Sequence, residues 1–296
     1  MPKLIDSHCH VNFNTYQDDG TEVIRRCLDK DIWLINVGSQ YTTSRRAFNI
    51  AAEYSIGVYA AIGLHPIHLF KTHVDEEEIK FATQEEQFDA VKYQALIDAD
   101  RDNISTEDSN KIIAVGEIGL DYYHLPKNYT LDEVKTKQAQ ELVKQLNFAD
   151  QNNLPVILHC RGSVDKPLEA YHDLLKIVKR QMLNVSCQLS GVLHCYGGDL
   201  AIAQEFIKLG FYIGFTGIIT FGKNAEGLRQ IVKTLPLDKI LIETDAPYLA
   251  PDPHRGQRNE PNYVELVAQK IAEIKNVTFA EVAQQTTNNS QTLFNI

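Results

Sequence analysis

Residues 112–117 read Ile112-Ile113-Ala114-Val115-Gly116-Glu117, a continuous apolar run that a polar break follows directly. Seven further apolar runs recur along the chain, each followed by a polar or glycine-rich break and then a helical pattern; they span residues 4–5, 32–37, 58–62, 155–158, 192–193, 211–215 and 240–242. Most of these runs are continuous rather than alternating, which is typical of strands buried on both faces of a parallel sheet. The pattern predicts eight strands that alternate with helices.

The helical segments between the runs have recognisable ends. Residues 130–133 and 278–281 both have the capping-box pattern Thr-x-x-Glu, which marks the start of a helix. An amphipathic segment over residues 200–209 stops at a glycine, a common helix end. Eight strand–helix alternations in about 250 residues predict an α/β fold, a (β/α)8 TIM barrel that forms one domain over residues 1–296. A doubly wound open sheet is the alternative.

The composition excludes several classes of protein. The 296 residues are 44% hydrophobic and 23% charged, which is typical of a soluble globular protein and not of a disordered or collagen-like one. Five cysteines, an odd number, argue for a reducing compartment and against a disulfide scaffold. No apolar run approaches the roughly 18 residues of a membrane span, and the N-terminus lacks a signal-peptide core. We expect a cytoplasmic protein, with the nucleus as the alternative compartment, and no membrane association.

The negative charge is concentrated in one segment. Residues 75–110 hold 12 acidic and 3 basic side chains, a balance of −9 within a net charge of −10. We expect this segment to be an acidic insertion in the barrel. Because the rest of the chain is almost neutral, the net charge neither supports nor excludes a nucleic-acid substrate.

Part of this segment resembles a calcium-binding loop. Asp98, Asp100 and Asp102 take the first, third and fifth places of the pattern. The sixth place holds Asn103 instead of glycine, and the twelfth holds Ser109 instead of the bidentate glutamate. We therefore expect a solvated acidic loop that joins the third helix to the fourth strand, and no calcium site.

Polar residues cluster just past the ends of the predicted strands. In a parallel barrel all carboxyl ends of the strands meet at one face, where the active sites of this fold lie. His8 and His10 are two residues apart on a strand, so both imidazoles point to one side of it. The polar segments that meet at this face are residues 8–10, 63–66, 116–121, 159–161, 194–196 and 243–247.

Four histidines, one glutamate and one aspartate in these segments form a donor set for divalent cations. They are His8, His10, His159, His194, Glu117 and Asp245. Imidazole suits zinc and other transition ions, and carboxylates extend the choice to manganese and magnesium. Since one catalytic zinc needs only three protein ligands and a water, six donors suggest two ions with a carboxylate bridging them.

Three cysteines and one more histidine adjoin these donors. Cys9, Cys160 and Cys195 each neighbour a proposed histidine ligand, so a thiolate site is an alternative. If the histidines face the barrel axis, period-two alternation turns the cysteines away from it, and we expect small buried residues between barrel and helices. His65 precedes a proline at a strand end, where it fits either a loop cap or a contact with substrate phosphate.

These motifs together resemble the TatD-type deoxyribonucleases, a family in the metal-dependent hydrolase superfamily with barrel folds. The resemblance runs in order from residue 4 to the C-terminus. It is carried by Asp6-Ser7-His8-Cys9-His10, Gly116-Glu117-Ile118-Gly119-Leu120-Asp121-Tyr122-Tyr123, His159-Cys160-Arg161, His194-Cys195-Tyr196, Glu243-Thr244-Asp245-Ala246-Pro247-Tyr248-Leu249 and Arg255-Gly256-Gln257-Arg258-Asn259-Glu260-Pro261. Gln257 and His124 stand where the family often has a basic residue and an arginine, departures that bear on phosphate contacts rather than on the metals.

The resemblance implies a metal-dependent nuclease that hydrolyses phosphodiester bonds of DNA from the 3′ end, with RNA as a second candidate substrate. It implies one Mg²⁺, Mn²⁺ or Zn²⁺ ion among His8, His10, Glu117 and Asp245, and another among Glu117, His159 and His194. Two ions would activate the attacking water. Glu117 would bridge them, and Asp245 would ligate one ion and accept a proton from that water.

Arginines and tyrosines near the strand ends are candidates for substrate binding, besides His65. Arg161, Arg255 and Arg258 could anchor phosphate through planar bidentate donors. For each of them an exposed salt bridge is an equal alternative. Tyr122 and Tyr123 could stack on bases, whereas core packing is an equal alternative for at least one of the two.

Two other functions compete with the nuclease. A carboxyl ester or amide hydrolase, such as an aminoacyl-tRNA deacylase, would use the same ligands, because polarising a carbonyl and polarising a phosphoryl group need similar donors. A non-catalytic binding barrel would be expected to show gaps in the donor set, and the sequence has none. DNA or RNA is therefore the expected partner, as substrate, and no obligate protein partner is indicated.

Overall fold

Ten strands are found among the described residues of the computed structural model, which are 1–71, 73–75, 80–83, 85–102, 110–184 and 189–296. They are β1 (Leu4–Cys9), β2 (Ile32–Val37), β3 (Val58–Ile62), β4 (His73–Asp75), β5 (Lys80–Ala82), β6 (Ile112–Asp121), β7 (Val156–Arg161), β8 (Gly191–Leu193), β9 (Tyr212–Phe215) and β10 (Ile240–Ile242). Eight of them form one parallel sheet in the order β1-β2-β3-β6-β7-β8-β9-β10, and β4 and β5 form a separate antiparallel pair. The predicted single-domain (β/α)8 TIM barrel is confirmed.

Helices alternate with the strands of the large sheet. They are α1 (Gly20–Leu28), α2 (Tyr41–Ala52), α3 (Ala90–Asp102), α4 (Leu131–Asn152), α5 (Glu169–Met182), α6 (Leu200–Lys208), α7 (Glu226–Thr234), α8 (Val264–Lys275) and α9 (Phe279–Phe294). Thr130 and Thr278 accept the backbone N–H groups of Glu133 and Glu281, so both predicted capping boxes start helices. None of the helices in the described ranges combines the length and the apolar character needed to cross a membrane.

Backbone and side-chain contacts join the first and last strands of the barrel. Cys9 and Ala246 form a parallel bridge just past the end of β10. The buried carboxylate of Asp6 accepts hydrogen bonds from the backbone N–H of Thr244 at 2.9 Å and from its hydroxyl at 2.6 Å. These contacts between β1 and the segment after β10 form a seam. The seam nearly closes the barrel and brings the end of β1 beside that segment.

Period-two alternation divides the apolar side chains of the strands between two cores. Leu34 and Ala60 belong to the larger core between the sheet and the helices, whereas Ile35 and Ala61, one residue further, belong to a smaller core inside the barrel. Phe294 at the end of α9 also packs in the smaller core. The interior of the barrel thus contains a packed apolar core, as expected for this fold.

The acidic segment 75–110 has regular structure in its described part. Helix α3 (Ala90–Asp102) buries Tyr93, Leu96, Ile97 and Asp100 on one face. Asp98, Asp100 and Asp102 therefore lie in a helix, so the expected acidic loop is wrong for these three residues, and 103–109 lie outside the described residues. That the segment is an insertion relative to other barrels stays a prediction.

The carboxylate of Asp100 is used by the backbone at the start of β6. Its oxygens accept the N–H of Lys111 at 3.0 Å and the N–H of Ile112 at 2.8 Å. An apolar face over α3 allows the helix to continue where the sequence alone suggested a loop. Asp100 therefore caps the N-terminal end of a barrel strand.

Candidate metal centre

Strand β1, strand β6 and the segment after β10 supply a cluster of four donors, which we call the first cluster: His8, His10, Glu117 and Asp245. Nε2 of His8 and Nε2 of His10 are 3.2 Å apart. Oε2 of Glu117 lies 3.5 and 3.7 Å from these two nitrogens, and Oδ1 of Asp245 lies 3.7 and 3.5 Å from them. The alternation on β1 thus points both imidazoles to one side, as the sequence predicts.

The first cluster fits a divalent cation. Donors placed 2.0–2.2 Å from a common centre in a tetrahedron are about 3.4 Å from one another, and the distances among His8, His10 and Glu117, which are 3.2, 3.5 and 3.7 Å, scatter around that value. Nδ1 of His10 lies 2.8 Å from the carbonyl oxygen of Val37, a contact that places the ring proton on Nδ1 and leaves the lone pair on Nε2. Without a cation, two imidazole nitrogens and two carboxylate oxygens would face one another in a buried space.

Glu117 also takes part in a second cluster, formed with His159 and His194. Oε1 of Glu117 lies 2.8 Å from Nδ1 of His159 and 2.9 Å from Nε2 of His194. The two oxygens of one carboxylate therefore face different donor sets, the first cluster with Oε2 and the second cluster with Oε1. A carboxylate in this position has the arrangement needed to bridge two cations.

Charge in the two clusters is balanced between Glu117 and the histidines. Burial by itself raises the pKa of Glu117, but the charge of His194 and the hydrogen bonds from His159 and His194 outweigh it and hold the pKa of this carboxyl well below its ordinary value. Burial opposes charge on His194 as well, yet Glu117 and Glu243 raise its pKa well above the ordinary value. The buried glutamate is therefore anionic and needs positive charge beside it, which either protons on histidine or a cation can supply.

The local sequence explains how β6 approaches β7 closely enough to form the second cluster. Gly119 lies between Glu117 and Asp121 in β6, and a Cβ atom added to it would lie 1.9 Å from the carbonyl oxygen of His159. Its φ of +150° is also one that residues with a side chain rarely adopt. Only glycine allows this contact between the backbones of β6 and β7.

The sequence reasoning missed two carboxylates that adjoin the histidines of the second cluster. Oδ2 of Asp121 lies 3.2 Å from Nε2 of His159, and Oε1 of Glu243 lies 3.4 Å from Nδ1 of His194. Side-chain alternation along a strand could have indicated both of them, because residues an even number of positions apart point to the same side. Asp121 follows Glu117 by four residues, and Glu243 precedes Asp245 by two.

The centre opens into a pocket of about 1060 Å³ on the carboxyl face of the barrel. Its lining includes the predicted residues His65 and Arg161, and also Arg46, Tyr123 and Tyr248. The guanidinium of Arg161 lies 3.9 Å from the centre of the Tyr123 ring. Positive charge and aromatic surface therefore stand together beside the clusters.

Tyr122 is a correction to the predicted substrate contacts. Its ring is 1% exposed and belongs to the core between sheet and helices, and its hydroxyl donates to Asp173 on α5 at 3.1 Å. Tyr123, the next residue, is 45% exposed and lines the pocket. The structure thus puts the accessible ring one residue further along the chain.

Arg258 and Arg255 do not line the pocket. Arg258 donates to both carboxylate oxygens of Asp19, at 2.9 and 2.5 Å, and to the carbonyl oxygen of Thr15 at 3.0 Å. Of the two alternatives for Arg258, phosphate anchoring and a salt bridge, the structure shows the salt bridge. Arg255 is exposed and lies 4.2 Å from the centre of the Phe221 ring, and its contact with a substrate stays a prediction.

Cys9, Cys160 and Cys195, the cysteines beside the proposed ligands, do not form a thiolate site among the described residues. Cys9 and Cys160 are buried in the core between sheet and helices, as expected. Cys195 lies partly exposed in the pocket lining, in a left-handed backbone conformation with φ of 45°. Burial raises the pKa of its thiol to about 12, so the side chain is a neutral thiol at physiological pH.

The chain is similar to known proteins over its whole length. Residues 5–295 match the family model of the TatD related DNases. The chain is 36% identical over 294 residues to YabD of Bacillus subtilis, an uncharacterized metal-dependent hydrolase, with 99% of each chain covered. It is 33% identical over 297 residues to YcfH of Escherichia coli K12, described in the same words, with 99% of this chain and 96% of YcfH covered.

A solved structure has the same architecture. The crystal structure of YjjV, a TatD homologue from Escherichia coli K12, superposes with a TM-score of 0.78 at 30% identity and covers 99% of this chain and 98% of YjjV. A hydrolase of the TatD family from Entamoeba histolytica superposes with a TM-score of 0.75 at 20% identity, covering 99% and 98% of the two chains. The second likeness bears on the fold alone.

Proposed function

Because the chain belongs to the TatD family of metal-dependent hydrolases, we propose that it is a nuclease that hydrolyses phosphodiester bonds of DNA from the 3′ end. The observation that carries the proposal is the position of Glu117. Its two carboxylate oxygens face two separate donor clusters, at 2.8 Å from His159 and 3.5 Å from His8, beside a pocket with arginine and tyrosine in its lining.

The distances within the two clusters support one assignment of ligands to the centre. His8, His10 and Asp245 would hold one divalent cation with Oε2 of Glu117, and His159 and His194 would hold another with Oε1. When bound, such a pair supplies a nucleophile from water at neutral pH and neutralises charge on the phosphate.

Asp245 is the residue we propose as the proton acceptor. Its side chain is 14% exposed, more than the side chains of Glu117 or His8, so it faces the pocket from which water and substrate come. Its backbone lies in the left-handed region, with φ of 59°, and its N–H donates to the carbonyl oxygen of His8 at 2.9 Å. A carboxylate fixed in this way can accept a proton from the attacking water as a general base.

His65 is suited to donate a hydrogen bond to a phosphate oxygen. Its Nδ1 accepts the backbone N–H of Ile67 at 3.1 Å, which places the ring proton on Nε2. Burial and the neighbouring His159 lower the pKa of His65 well below its ordinary value, so the ring is neutral. Arg161 would add a charged donor to the same pocket.

The experiment compares four substrates after removal of metal by a chelator and reloading with Mg²⁺, Mn²⁺ or Zn²⁺ in turn. The substrates are 5′-labelled single-stranded DNA, the same DNA as a duplex, RNA of the same sequence, and charged tRNA. The expected result is a metal-dependent ladder that shortens from the 3′ end of DNA. Release of the amino acid from charged tRNA with DNA left intact would instead identify an aminoacyl-tRNA deacylase, and the nuclease proposal would be wrong.

Glu117→Ala tests whether the centre is responsible. The variant should keep a native-like far-UV circular dichroism spectrum and lose hydrolysis of every substrate, and residual activity above about one tenth of the wild-type value at saturating metal would remove Glu117 from the site. Glu141→Ala is the matched control. Glu141 is a buried glutamate outside the pocket lining that accepts the N–H of Phe88 at 3.2 Å, and its loss should leave activity unchanged.

A further inference from the structure

Asp121 closes β6 with a carboxylate that receives four hydrogen bonds. Oδ1 accepts the backbone N–H groups of Tyr123 at 2.9 Å and His124 at 2.8 Å. Oδ2 lies 2.8 Å from Nδ1 of His124 and 3.2 Å from Nε2 of His159. A carboxylate offers about four lone-pair positions, so each position of this buried group has a partner.

The backbone of Asp121 is fixed as firmly as its side chain. Its N–H donates to Oε1 of Gln138 at 2.9 Å, and Nε2 of Gln138 donates back to its carbonyl oxygen at 2.7 Å. Gln138 lies on α4 and is buried. Strand, helix and carboxylate are thus held together next to the second cluster.

The ring of His159 lies between Asp121 and Glu117. Its Nε2 faces Oδ2 of Asp121, and its Nδ1 faces Oε1 of Glu117 at 2.8 Å. An anionic carboxylate accepts hydrogen bonds and cannot donate them. Glu117 is an anionic carboxylate as well, so the two partners alone do not select one tautomer. A cation held by Oε1 of Glu117 would need the lone pair of Nδ1, and Asp121 then accepts the remaining ring proton of a neutral His159 on Nε2.

We propose that Asp121 is a positioning residue, which keeps His159 in the tautomer protonated on Nε2 and thereby presents Nδ1 to the cation of the second cluster. His124 supports this arrangement as a second donor to Oδ2. The proposal rests on the two-cation centre of the proposed function, and it does not depend on which bond the enzyme hydrolyses.

A third cation among His65, Asp121 and His159 is the competing interpretation, because donor atoms of these residues lie within 4.8 Å of one another. The hydrogen bonds disfavour it. Nδ1 of His65 accepts the N–H of Ile67, so its Nε2 carries the proton and has no lone pair for a metal. His159 would have to give up both ring protons, and Asp121 would have to exchange its donors for the ion.

Asp121→Asn makes the test specific. The two backbone N–H groups at Oδ1 would keep the amide oxygen on their side and turn the amide NH2 toward His159. That group donates to Nε2, so the ring proton moves to Nδ1 and blocks the ligand atom, whereas Asp121→Ala only removes the partner. Asp173→Asn is the matched control. It changes a carboxylate that accepts a hydrogen bond from the hydroxyl of Tyr122, the residue that follows Asp121 in the chain.

Zinc affinity of the two sites is measured by competition with a chromophoric chelator. Loss of such an outer partner typically costs 10–100-fold in metal affinity, and we expect a loss of about that size for the second zinc in Asp121→Ala and at least as much in Asp121→Asn. The first zinc should change by less than about threefold, and Asp173→Asn should change neither. Imidazole ¹⁵N spectra of the zinc-loaded wild type should show His159 protonated on Nε2.

Three results would overturn the proposal: unchanged affinity for the second zinc in both Asp121 variants, a wild-type His159 protonated on Nδ1, or three zinc ions in the wild type of which Asp121→Ala loses one. The spectrum needs only the wild type, so it decides even if the variants fail to fold. A wild type that binds fewer than two zinc ions contradicts the two-cation centre and this proposal with it. Two bound zinc ions without hydrolysis of nucleic acid contradict only the nuclease.

Discussion

Asp245 contacts His8 through both its backbone and its side chain. Its N–H donates to the carbonyl oxygen of His8 at 2.9 Å, and its Oδ1 lies 3.7 Å from Nε2 of the same residue. The first contact extends the seam between β1 and the segment after β10, and the second belongs to the first cluster. The same junction therefore nearly closes the barrel and completes the donor set.

Asp245→Asn separates the two contacts. The backbone hydrogen bond and one side-chain oxygen remain, but an amide cannot accept the proton from water. We expect near-normal occupancy of the second cluster and a kcat lowered by roughly 10²–10⁴, the usual cost of losing general-base catalysis. The acidic limb of the pH–rate profile should flatten. Metal analysis and kinetics are measured together, and a variant that keeps both ions and nearly full kcat would exclude Asp245 as the base.

The sequence predicted which donors come together in the candidate metal centre because these residues follow simple periodicities. His8 and His10 are two residues apart at the end of β1, and Glu117, His159 and His194 lie in or just past the neighbouring strands β6, β7 and β8. The apolar run that predicted β6 ended before Glu117, whereas the strand continues to Asp121. In a parallel barrel these facts alone bring the side chains together. No knowledge of distant contacts is needed.

Residues beyond the strands could not be placed in this way. The alternation of side chains between two sides holds only within a strand, and β6 ends at Asp121. The sequence therefore could not decide whether Tyr122 or Tyr123 has the accessible ring. The partner of Arg258 is Asp19, 239 residues away, and no local pattern indicates that pairing. Asp100 was assigned to a loop because acidic composition hid the apolar face of α3.

Asp100→Asn should destabilise the fold by about 2 kcal/mol, because a carboxylate that accepts backbone N–H groups at the start of β6 is replaced by a group that can accept on one side only. Asp98→Asn is the matched control, since Asp98 is exposed on the same helix and bonds only to the side chain of Gln94 among the described residues. Urea unfolding measures both variants. Equal stability of the two would contradict the capping role, and stabilisation of the wild type by calcium would restore the calcium-loop interpretation.

Tyr123→Ala and Tyr122→Phe form a pair that separates substrate binding from packing. Loss of the exposed Tyr123 ring should raise KM for single-stranded DNA by about 5–150-fold, corresponding to 1–3 kcal/mol of base stacking, and leave Tm unchanged. Loss of the buried Tyr122 hydroxyl removes its hydrogen bond to Asp173 and should cost about 1 kcal/mol of stability without a change in KM. A raised KM in Tyr122→Phe, with an unchanged KM in Tyr123→Ala, would instead identify Tyr122 as the substrate contact.

Arg258→Ala should lower stability and leave KM unchanged, because this guanidinium binds Asp19 and lies 4.5 Å from the centre of the Tyr16 ring instead of in the pocket. Both charged side chains are about one third exposed, so solvent screening limits the expected loss to about 1 kcal/mol. The hydrogen bond from Arg258 lowers the pKa of Asp19, and a lowered carboxyl pKa stabilises the fold above the unfolded value of about 3.9 and ceases to do so as the pH falls through the folded value. The difference in Tm between wild type and variant should therefore be constant near neutral pH and shrink in acid below about pH 4.

Arg161→Ala is the control with the opposite pattern, a raised KM at unchanged Tm. A raised KM in Arg258→Ala without loss of Tm would return Arg258 to the substrate-binding residues.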